Sequence, residues 1–273
     1  MSKFTAAIIQ TNTSNDPAQA WSELERLVRA AAGRGAYFVA TPEGSNLLER
    51  DREKFKQICP KLEDGFSQYS ELARELNIYL LIGSALFQQI GKKAVNRSLF
   101  FAPDGKLIAH YDKIHLFDVN LGMGQEARES DAYEAGTTAV LANTEIGKFG
   151  LSICYDMRFA HLYRMLCQKG AEILTMPASF TVPTGKAHWE VLLRARAIEN
   201  GAYVIAPAQA GLHADGRKTY GHSMIINPWG EIIAELDGKS TGFALAEINL
   251  DEVSAARKKI PAWGLNKSFD IYD

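Results

Sequence analysis

Short apolar segments alternate with amphipathic segments along most of this 273-residue chain, and this alternation limits the fold more than any other feature. Residues 4–10 form a predicted buried strand, and residues 17–32 form a predicted helix with Pro17 in its first turn. The helix places Leu24 and Val28 on one face, which needs an apolar partner. Strands that alternate with such helices build a layered α/β architecture in which helices cover the sheet faces.

The rest of the chain continues this alternation. Further strands are predicted at residues 37–41, 79–84, 95–102, 106–112, 172–176, 203–206, 222–227, 231–236 and 243–248, and further helices at 65–76, 159–169, 188–200 and 251–259. Residues 114–136 show little periodicity and are predicted to form a long loop, which in a compact domain is usually functional. Residues 36–46 and 171–181 resemble each other, which suggests an internal duplication. Since no linker interrupts the pattern, we predict one domain over residues 1–273.

The composition excludes several classes of function. A formal net charge of -2 and a pI of about 6.3 provide no basic field for nucleic acid or an anionic membrane. The first apolar run is too short for a signal-peptide core or a membrane span. The three cysteines, Cys59, Cys154 and Cys167, fit a reducing compartment, so we predict a cytoplasmic protein. No CxxC, HExxH, GxGxxG or Walker motif occurs, so neither a metal nor a cofactor is expected.

One cysteine lies where an apolar strand ends abruptly. The segment FGLSICYDMRF, residues 149–159, delivers Cys154 to a polar break that is followed by a helical pattern. Backbone N–H groups at the start of a helix can stabilise an anion and lower the pKa of a thiol. The alternative is that Cys154 is a small buried apolar residue, which is the commoner role of a free cysteine.

Two further strand ends carry ionisable groups. Glu43 follows an apolar strand, and its partial desolvation is expected to raise its pKa toward that of a general base. Lys113 directly follows a different predicted strand, at residues 106–112. The alternatives are a solvated loop carboxylate and a surface lysine. A thiol nucleophile needs a base, and the six histidines also remain candidates because spatial partners need not be sequence neighbours.

Three motifs in order resemble the nitrilase superfamily of carbon–nitrogen hydrolases: PEG at 42–44, YDKIHLF at 111–117 and CYDMRF at 154–159. The resemblance implies that Glu43 is the base, Lys113 the family lysine and Cys154 the nucleophile. It also implies that Glu129, in the segment ARES, is the second family glutamate, which orients Lys113 or positions the substrate. The implied fold is a four-layer αββα sandwich. The implied assembly is at least a homodimer formed by helix-on-helix contacts, with the tail at about 260–273 near the subunit interface.

The resemblance also implies a reaction. Glu43 would take the proton of Cys154, and the sulfur would attack an amide carbonyl. Lys113 and the backbone N–H of Tyr155 would stabilise the oxyanion, and water would then hydrolyse the thioester. Because opposite charges would flank the thiol, Cys154 is expected to form an ion pair without a histidine.

Two later segments, at residues 178–200 and 220–235, resemble the branch of the family that contains deaminated glutathione amidase and omega-amidase. This resemblance implies hydrolysis of the amide of a small acidic 2-oxo acid, with deaminated glutathione as the first candidate. Alternatives are 2-oxoglutaramate, plain aliphatic amides and N-carbamoyl compounds. A different class of alternative is a catalytically silent interaction protein on the same scaffold.

The candidates for substrate contact follow strand ends or are aromatic residues of the motifs; they are Arg158, Phe180, Thr184, Phe117 and Tyr155. Arg158 would pair with a substrate carboxylate, or alternatively form an ion pair with a local acid. Phe117 and Tyr155 would wall the pocket, or alternatively be core aromatics. Lys186 is either a second contact for a carboxylate or a surface residue.

Overall fold

The computed structural model describes residues 2–120, 122 and 126–272. Its helices are α1 (Pro17–Gly33), α2 (Arg52–Ile58), α3 (Ser67–Leu76), α4 (Ala160–Gln168), α5 (Val182–Asn200) and α6 (Leu250–Lys259). Its strands are β1 (Lys3–Gln10), β2 (Phe38–Ala40), β3 (Tyr79–Phe87), β4 (Val95–Phe101), β5 (Leu107–Asp112), β6 (Asp118–Asn120), β7 (Glu126–Arg128), β8 (Leu141–Thr144), β9 (Gly147–Leu151), β10 (Ile173–Thr175), β11 (Tyr203–Ala206), β12 (Ala210–Leu212), β13 (Lys218–Tyr220), β14 (Met224–Ile226), β15 (Ile232–Glu235) and β16 (Gly242–Asn249). Within the described ranges, no helix is both long and apolar enough to cross a membrane.

Two six-stranded sheets form the centre of the molecule. The first sheet has the order β16-β1-β2-β3-β4-β5, and the second has the order β15-β14-β11-β10-β9-β8. In the first sheet β1, β2 and β3 run parallel and are flanked by antiparallel strands. The second sheet repeats this pattern around β9, β10 and β11. Strands β2 and β10, which lie in the two similar sequence segments, therefore occupy equivalent central positions.

The two sheets pack face to face and are covered by helices on their outer sides. Phe38 of the first sheet and Phe149 of the second have ring centroids 4.9 Å apart, so aromatic side chains fill the space between the sheets. Leu24 and Leu72, from α1 and α3, lie in the cluster on the outer face of the first sheet. Helices α4 and α5 cover the second sheet. The result is the four-layer αββα sandwich that the resemblance implied.

The structure corrects several predicted elements. Helix α5 begins at Val182 rather than at residue 188, because Thr181 is extended and Pro183 fits the first helical turn. Part of the predicted loop at 114–136 forms the β6–β7 hairpin, while its residues 121 and 123–125 lie outside the described residues. Helix α2 and the β12–β13 hairpin were not predicted, since segments this short give too few periods to recognise.

The C-terminal segment first packs against its own chain. Arg164 of α4 donates hydrogen bonds to the carbonyl oxygens of Ala262 and Leu265, and Gln168 donates to that of Trp263. Beyond this point the apolar side chains are exposed, namely those of Phe269, Ile271 and Tyr272. The segment is therefore anchored on the outer helical layer and presents an apolar end.

Candidate active site

Cys154 begins a short 3-10 turn that starts three residues after the last residue of β9, Leu151. Its φ angle is 50°, a left-handed conformation that is rare and strained for any residue with a side chain. Its backbone N–H donates to the carbonyl oxygen of Pro177 at 2.8 Å, which holds the turn in place. The thiol is buried, and the Glu43 carboxylate is close enough to influence its pKa. The sharp turn thus brings this cysteine to the facing sheet.

The carboxylate of Glu43 is fixed by donors on both of its oxygens. Oε1 accepts hydrogen bonds from Nζ of Lys113 at 2.8 Å and from Nδ2 of Asn96 at 2.9 Å. Oε2 accepts one from the backbone N–H of Ser179 at 2.9 Å. Glu43 retains 7% of its accessible surface, so this group meets little solvent. Its orientation is therefore set by contacts from both sheets.

The backbone around Glu43 is packed too closely for side chains to intrude. The hydroxyl groups of Thr41 and Ser45 lie 2.8 Å apart and brace the turn. A Cβ atom at Gly83, on the neighbouring strand β3, would lie 1.8 Å from the carbonyl oxygen of Thr41 and 2.4 Å from Cβ of Pro177. Glycine at this position lets the turn after β2 approach the turn that follows β10.

Lys113 joins the two predicted glutamates. Its Nζ atom lies 2.8 Å from Oε1 of Glu43 and 2.8 Å from Oε2 of Glu129, and its side chain is 2% exposed. Glu129 also accepts a hydrogen bond from the N–H of Phe117 at 2.6 Å. Nδ2 of Asn96 lies 3.3 Å from Oε1 of Glu129 and thus bridges both carboxylates. The four residues predicted for catalysis therefore form one buried cluster.

Neighbouring charges decide the protonation states of this cluster. Burial alone would raise the pKa of the Glu43 carboxyl, but the ammonium of Lys113 holds that pKa below its usual range. Burial would lower the pKa of Lys113, but the carboxylates of Glu129 and Glu43 hold it well above its usual value. Burial raises the pKa of the Cys154 thiol well above its ordinary value, and the Glu43 carboxylate raises it further. The resting site therefore holds a neutral thiol beside an ammonium and its carboxylates.

This charge state corrects two expectations from the sequence. The pKa of Glu43 is lowered rather than raised, because the strand end indicated burial but could not reveal the ammonium 2.8 Å away. The expected ion pair at Cys154 is wrong for the resting protein, since a thiolate would add another negative charge to a buried cluster that already holds two carboxylates. A thiolate here requires that Glu43 accept the proton.

A small cleft opens over the thiol. Its lining consists of Phe117, Cys154, Tyr155, Ser179, Phe180, Thr181 and Thr184. Four of the five predicted substrate contacts therefore line it. The guanidinium of the fifth, Arg158, lies 5.7 Å from the ring centroid of Tyr155 and 5.6 Å from that of Phe180. A second cavity, beside the β8–β9 turn, is lined by none of the predicted site residues.

The structure also decides between some of the alternatives at these positions. Arg158 has no acidic partner among the described residues, and the nearby acid Asp156 is hydrogen-bonded elsewhere, so the local ion pair is wrong. Thr184 lies in α5 rather than in a loop and bonds Thr181 through its hydroxyl group at 2.8 Å. Lys186 is exposed and does not line the cleft, so it is a surface residue in this structure.

Sequence reasoning missed the groups that support the cluster. Asn96 bridges Glu43 and Glu129, and its only signal was a polar amide near the start of a predicted strand that also contains Arg97 and Ser98. The Ser179 N–H and the Pro177 carbonyl contribute through the backbone, which leaves no signature in residue type. These groups could be found only once the two sheets were placed face to face.

Comparison with known proteins agrees with this geometry. The carbon–nitrogen hydrolase family model matches residues 5–258. The chain is 41% identical over 266 residues to the deaminated glutathione amidase of Synechocystis sp. (strain PCC 6803 / GT-S), covering 96% of this chain and 97% of that protein. It is 36% identical over 262 residues to the omega-amidase NIT2 of Danio rerio, covering 96% and 94%. The crystal structure of Saccharomyces cerevisiae Nit3, a member of branch 10 of the nitrilase superfamily, superposes with a TM-score of 0.82 at 29% identity and covers 95% of both chains. The family prediction is confirmed: the chain belongs to the carbon–nitrogen hydrolase family.

Proposed function

We propose that this protein is an amidase that hydrolyses the amide bond of a small acidic 2-oxo acid. The first substrate is deaminated glutathione, which would yield 2-oxoglutarate and cysteinylglycine. The observation that carries the proposal is the buried contact of 2.8 Å between Glu43 and Lys113 beside the strained Cys154 turn. The similarity to a deaminated glutathione amidase over 96% of the chain supports the choice of substrate.

In the acylation step, Glu43 accepts the proton of Cys154 as the sulfur attacks the amide carbonyl carbon. The new C–S bond leaves a negative charge on the carbonyl oxygen. The ammonium of Lys113 and the N–H of Tyr155 stabilise this oxyanion. The C–N bond then breaks, and the proton held by Glu43 passes to the leaving amine. A thioester and a free amine result.

In the deacylation step, the same carboxylate acts as a base toward water. Glu43 accepts a proton from a water molecule whose oxygen attacks the thioester carbonyl. The C–S bond breaks, the sulfur regains the proton, and the 2-oxo acid leaves. Because its pKa lies below the usual range, Glu43 is ionised at neutral pH and is available to accept a proton from the thiol or from water. Glu129 holds Lys113 in place through both steps.

Substrate recognition is proposed to depend on the cleft above the thiol. Its aromatic walls, Phe117 and Tyr155, have ring centroids 5.2 Å apart in an edge-on arrangement. Arg158 supplies a cation beside this wall and has no acidic partner among the residues that the structure describes. A guanidinium placed in this way fits a substrate carboxylate, which supports an acidic substrate.

The decisive test replaces the nucleophile. We expect Cys154→Ala and Cys154→Ser to lower turnover of deaminated glutathione at least about a thousandfold, measured as 2-oxoglutarate release. Cys167→Ala is the matched control, because Cys167 is also buried but lies in α4 and does not line the cleft. Turnover near that of the wild type in both Cys154 variants would overturn the proposed mechanism.

A second candidate substrate is 2-oxoglutaramate, and the similarity to an omega-amidase over 96% of the chain favours it. Comparing kcat/KM for the two compounds separates the candidates. Plain amides and N-carbamoyl amino acids belong in the same panel, with ammonia or amine release as the measurement. If none of these compounds is turned over, the non-catalytic alternative replaces the enzyme proposal.

We further propose that two copies associate through the outer helical layer. Val191 and Ile198 of α5 and Met165 of α4 are exposed apolar residues on this layer, and the apolar C-terminal end is anchored beside them. We expect Val191→Glu to shift the sedimentation coefficient toward that of a monomer, because a charge is costly in an apolar interface. Ile90→Glu, an equally exposed site between β3 and β4, is the control. An unchanged sedimentation coefficient for Val191→Glu would contradict this interface.

A cytoplasmic location, without a nucleic-acid or membrane partner, completes the proposal. It is supported by the three cysteines, all of which are free, and by the net charge of -2. Cell fractionation of a tagged full-length chain tests the location.

A further inference from the structure

We propose that Asp156 is a positioning residue that fixes Lys113 relative to Cys154. The inference rests on the proposed function in taking Cys154 as the nucleophile and Lys113 as its cationic partner. Among the described residues, Asp156 forms no hydrogen bond with either of these side chains. It therefore positions them through the backbone segments that carry them.

The carboxylate of Asp156 is fully buried and accepts from two different segments of the chain. Its Oδ2 atom accepts hydrogen bonds from the Ile153 N–H at 2.8 Å and from the Tyr111 hydroxyl group at 2.7 Å. Its Oδ1 atom accepts one from the His115 N–H at 3.0 Å and lies 2.7 Å from Nδ1 of the same residue. Both oxygens are thus fully engaged, which is what a buried carboxylate requires.

The partners of Asp156 immediately surround the two reactive residues in sequence. Ile153 directly precedes Cys154, while Tyr111 and His115 flank Lys113 on either side. Lys113 follows β5 of the first sheet, and Cys154 follows β9 of the second. One side chain therefore ties together the two backbone turns on which the ammonium and the thiol depend, across the gap between the sheets.

The surroundings of Asp156 keep this connection rigid. The ring of His115 stacks on Phe159 with a centroid separation of 3.5 Å. The Tyr111 hydroxyl group, which donates to Asp156, also accepts from the Ile114 N–H at 3.1 Å. Tyr111 is itself 1% exposed, so water cannot readily replace these hydrogen bonds. A buried and fully satisfied network of this kind holds one geometry.

Asparagine has the same shape as aspartate but cannot satisfy this network. Its amide has one acceptor oxygen, whereas Asp156 accepts from a backbone N–H on each side, that of Ile153 and that of His115. A tyrosine hydroxyl group or an imidazole can exchange donor and acceptor roles, but a backbone N–H cannot. Either orientation of the amide therefore sets an NH₂ group against a backbone N–H and pushes one of the two turns away.

The test compares Asp156→Asn with Asp215→Asn, whose parent carboxylate is also fully buried and bonds Arg217 within its own turn. For Asp156→Asn we expect kcat to fall about tenfold to a hundredfold, because small displacements of reacting groups are this costly, with KM changed less than about threefold. We also expect alkylation of Cys154 by iodoacetamide, followed by mass spectrometry, to slow about tenfold, since a displaced ammonium no longer favours the thiolate. Asp215→Asn should change neither quantity.

Alkylation needs no amide substrate, so it tests Asp156 even if the wild-type protein hydrolyses none of the proposed compounds. Unchanged alkylation and turnover in Asp156→Asn would overturn the inference. Faster alkylation would also overturn it, because the residue would then merely keep the thiol covered. If Asp156→Asn does not fold, Tyr111→Phe removes a single donor to the same carboxylate and decides the question, with a severalfold decrease in both rates expected.

Discussion

The ends of β2 and β10 are equivalent in topology but contribute to the site in different ways. Both strands lie at the centre of their sheets, and both are followed by a proline, Pro42 in one case and Pro177 in the other. The next residue is Glu43 in the first sheet and Ala178 in the second. The first end places an ionised side chain in the site, whereas the residue at the second is an alanine buried in the apolar core.

The β10 end acts through its backbone instead. The Pro177 carbonyl accepts from the Cys154 N–H at 2.8 Å, and the Ser179 N–H donates to Glu43 at 2.9 Å. The β2 end thus provides the charge, while the β10 end fixes the positions of the Glu43 carboxylate and the Cys154 backbone. A duplicated strand end can therefore contribute to a catalytic cluster without supplying a catalytic side chain.

The largest effect is expected when the charge at the β2 end is removed. We expect Glu43→Gln to lower turnover by about a thousandfold, because the amide cannot accept the thiol proton and loss of a general base costs this much. Initial rates with saturating substrate measure the effect. Glu49→Gln, a neighbouring and largely covered carboxylate that bonds Asn15, should retain wild-type rates. A loss of less than tenfold in Glu43→Gln would assign the base elsewhere.

A side chain at Gly83 would force the β2 and β10 ends apart. A Cβ atom there would lie 1.8 Å from the Thr41 carbonyl oxygen, so the backbone must move. We expect Gly83→Ala to lower turnover about a hundredfold through misplacement of Glu43 and to reduce the free energy of unfolding in urea by about 1–3 kcal/mol. Gly33→Ala, with open space around it in α1, should leave both quantities near wild type. Wild-type turnover in Gly83→Ala would show that the close approach is not needed.

The same division of roles explains how much of the site was predictable. Glu43, Lys113 and Cys154 each follow a strand end, which made them candidates, and the family motifs then distinguished them from surface or core residues; the structure places them together. The layered fold followed from periodicity and from the motifs. The direction of the Glu43 pKa shift could not be predicted, because it depends on Lys113, which lies 70 residues further along the chain and follows a different strand.

Backbone contributions could not be predicted for a different reason. Any non-proline residue at position 179 would offer the same N–H group to Glu43, so the sequence carries no signal for it. Asn96 is intermediate, since a buried amide in a strand marks a polar contact but does not name its partner. Prediction therefore identified the charged side chains of the cluster, and it missed the contacts from Asn96, Pro177 and Ser179, which depend on the assembled fold.

Asn96→Asp adds a third carboxyl group to the cluster at the β2 end. The new carboxylate would face Glu43 and Glu129, which Asn96 now bridges as a donor. A negative neighbour favours the protonated form, so the pKa of Glu43 rises and the acid limb of the pH–rate profile moves to higher pH. We expect a loss of a few tens of fold at neutral pH, on the order of that for other disrupted charge-assisted hydrogen bonds. A pH–rate profile of kcat/KM measures it, and an unmoved acid limb would contradict the bridging role.

The smallest effects are expected at the β10 end, where the backbone of Ser179 holds Glu43. Ser179→Pro removes the N–H that donates to Oε2 of Glu43, and we expect turnover to fall about tenfold, as for the loss of one hydrogen bond to a charged group. Ser179→Ala keeps the N–H and should retain wild-type turnover, although it removes the entire hydroxyl group. The pair of variants separates backbone from side chain at a single position, with the unfolding midpoint of each measured alongside its initial rate. If the alanine variant lost as much activity as the proline variant, the contribution of the β10 end would lie in the serine side chain, and the contrast between the two strand ends would disappear.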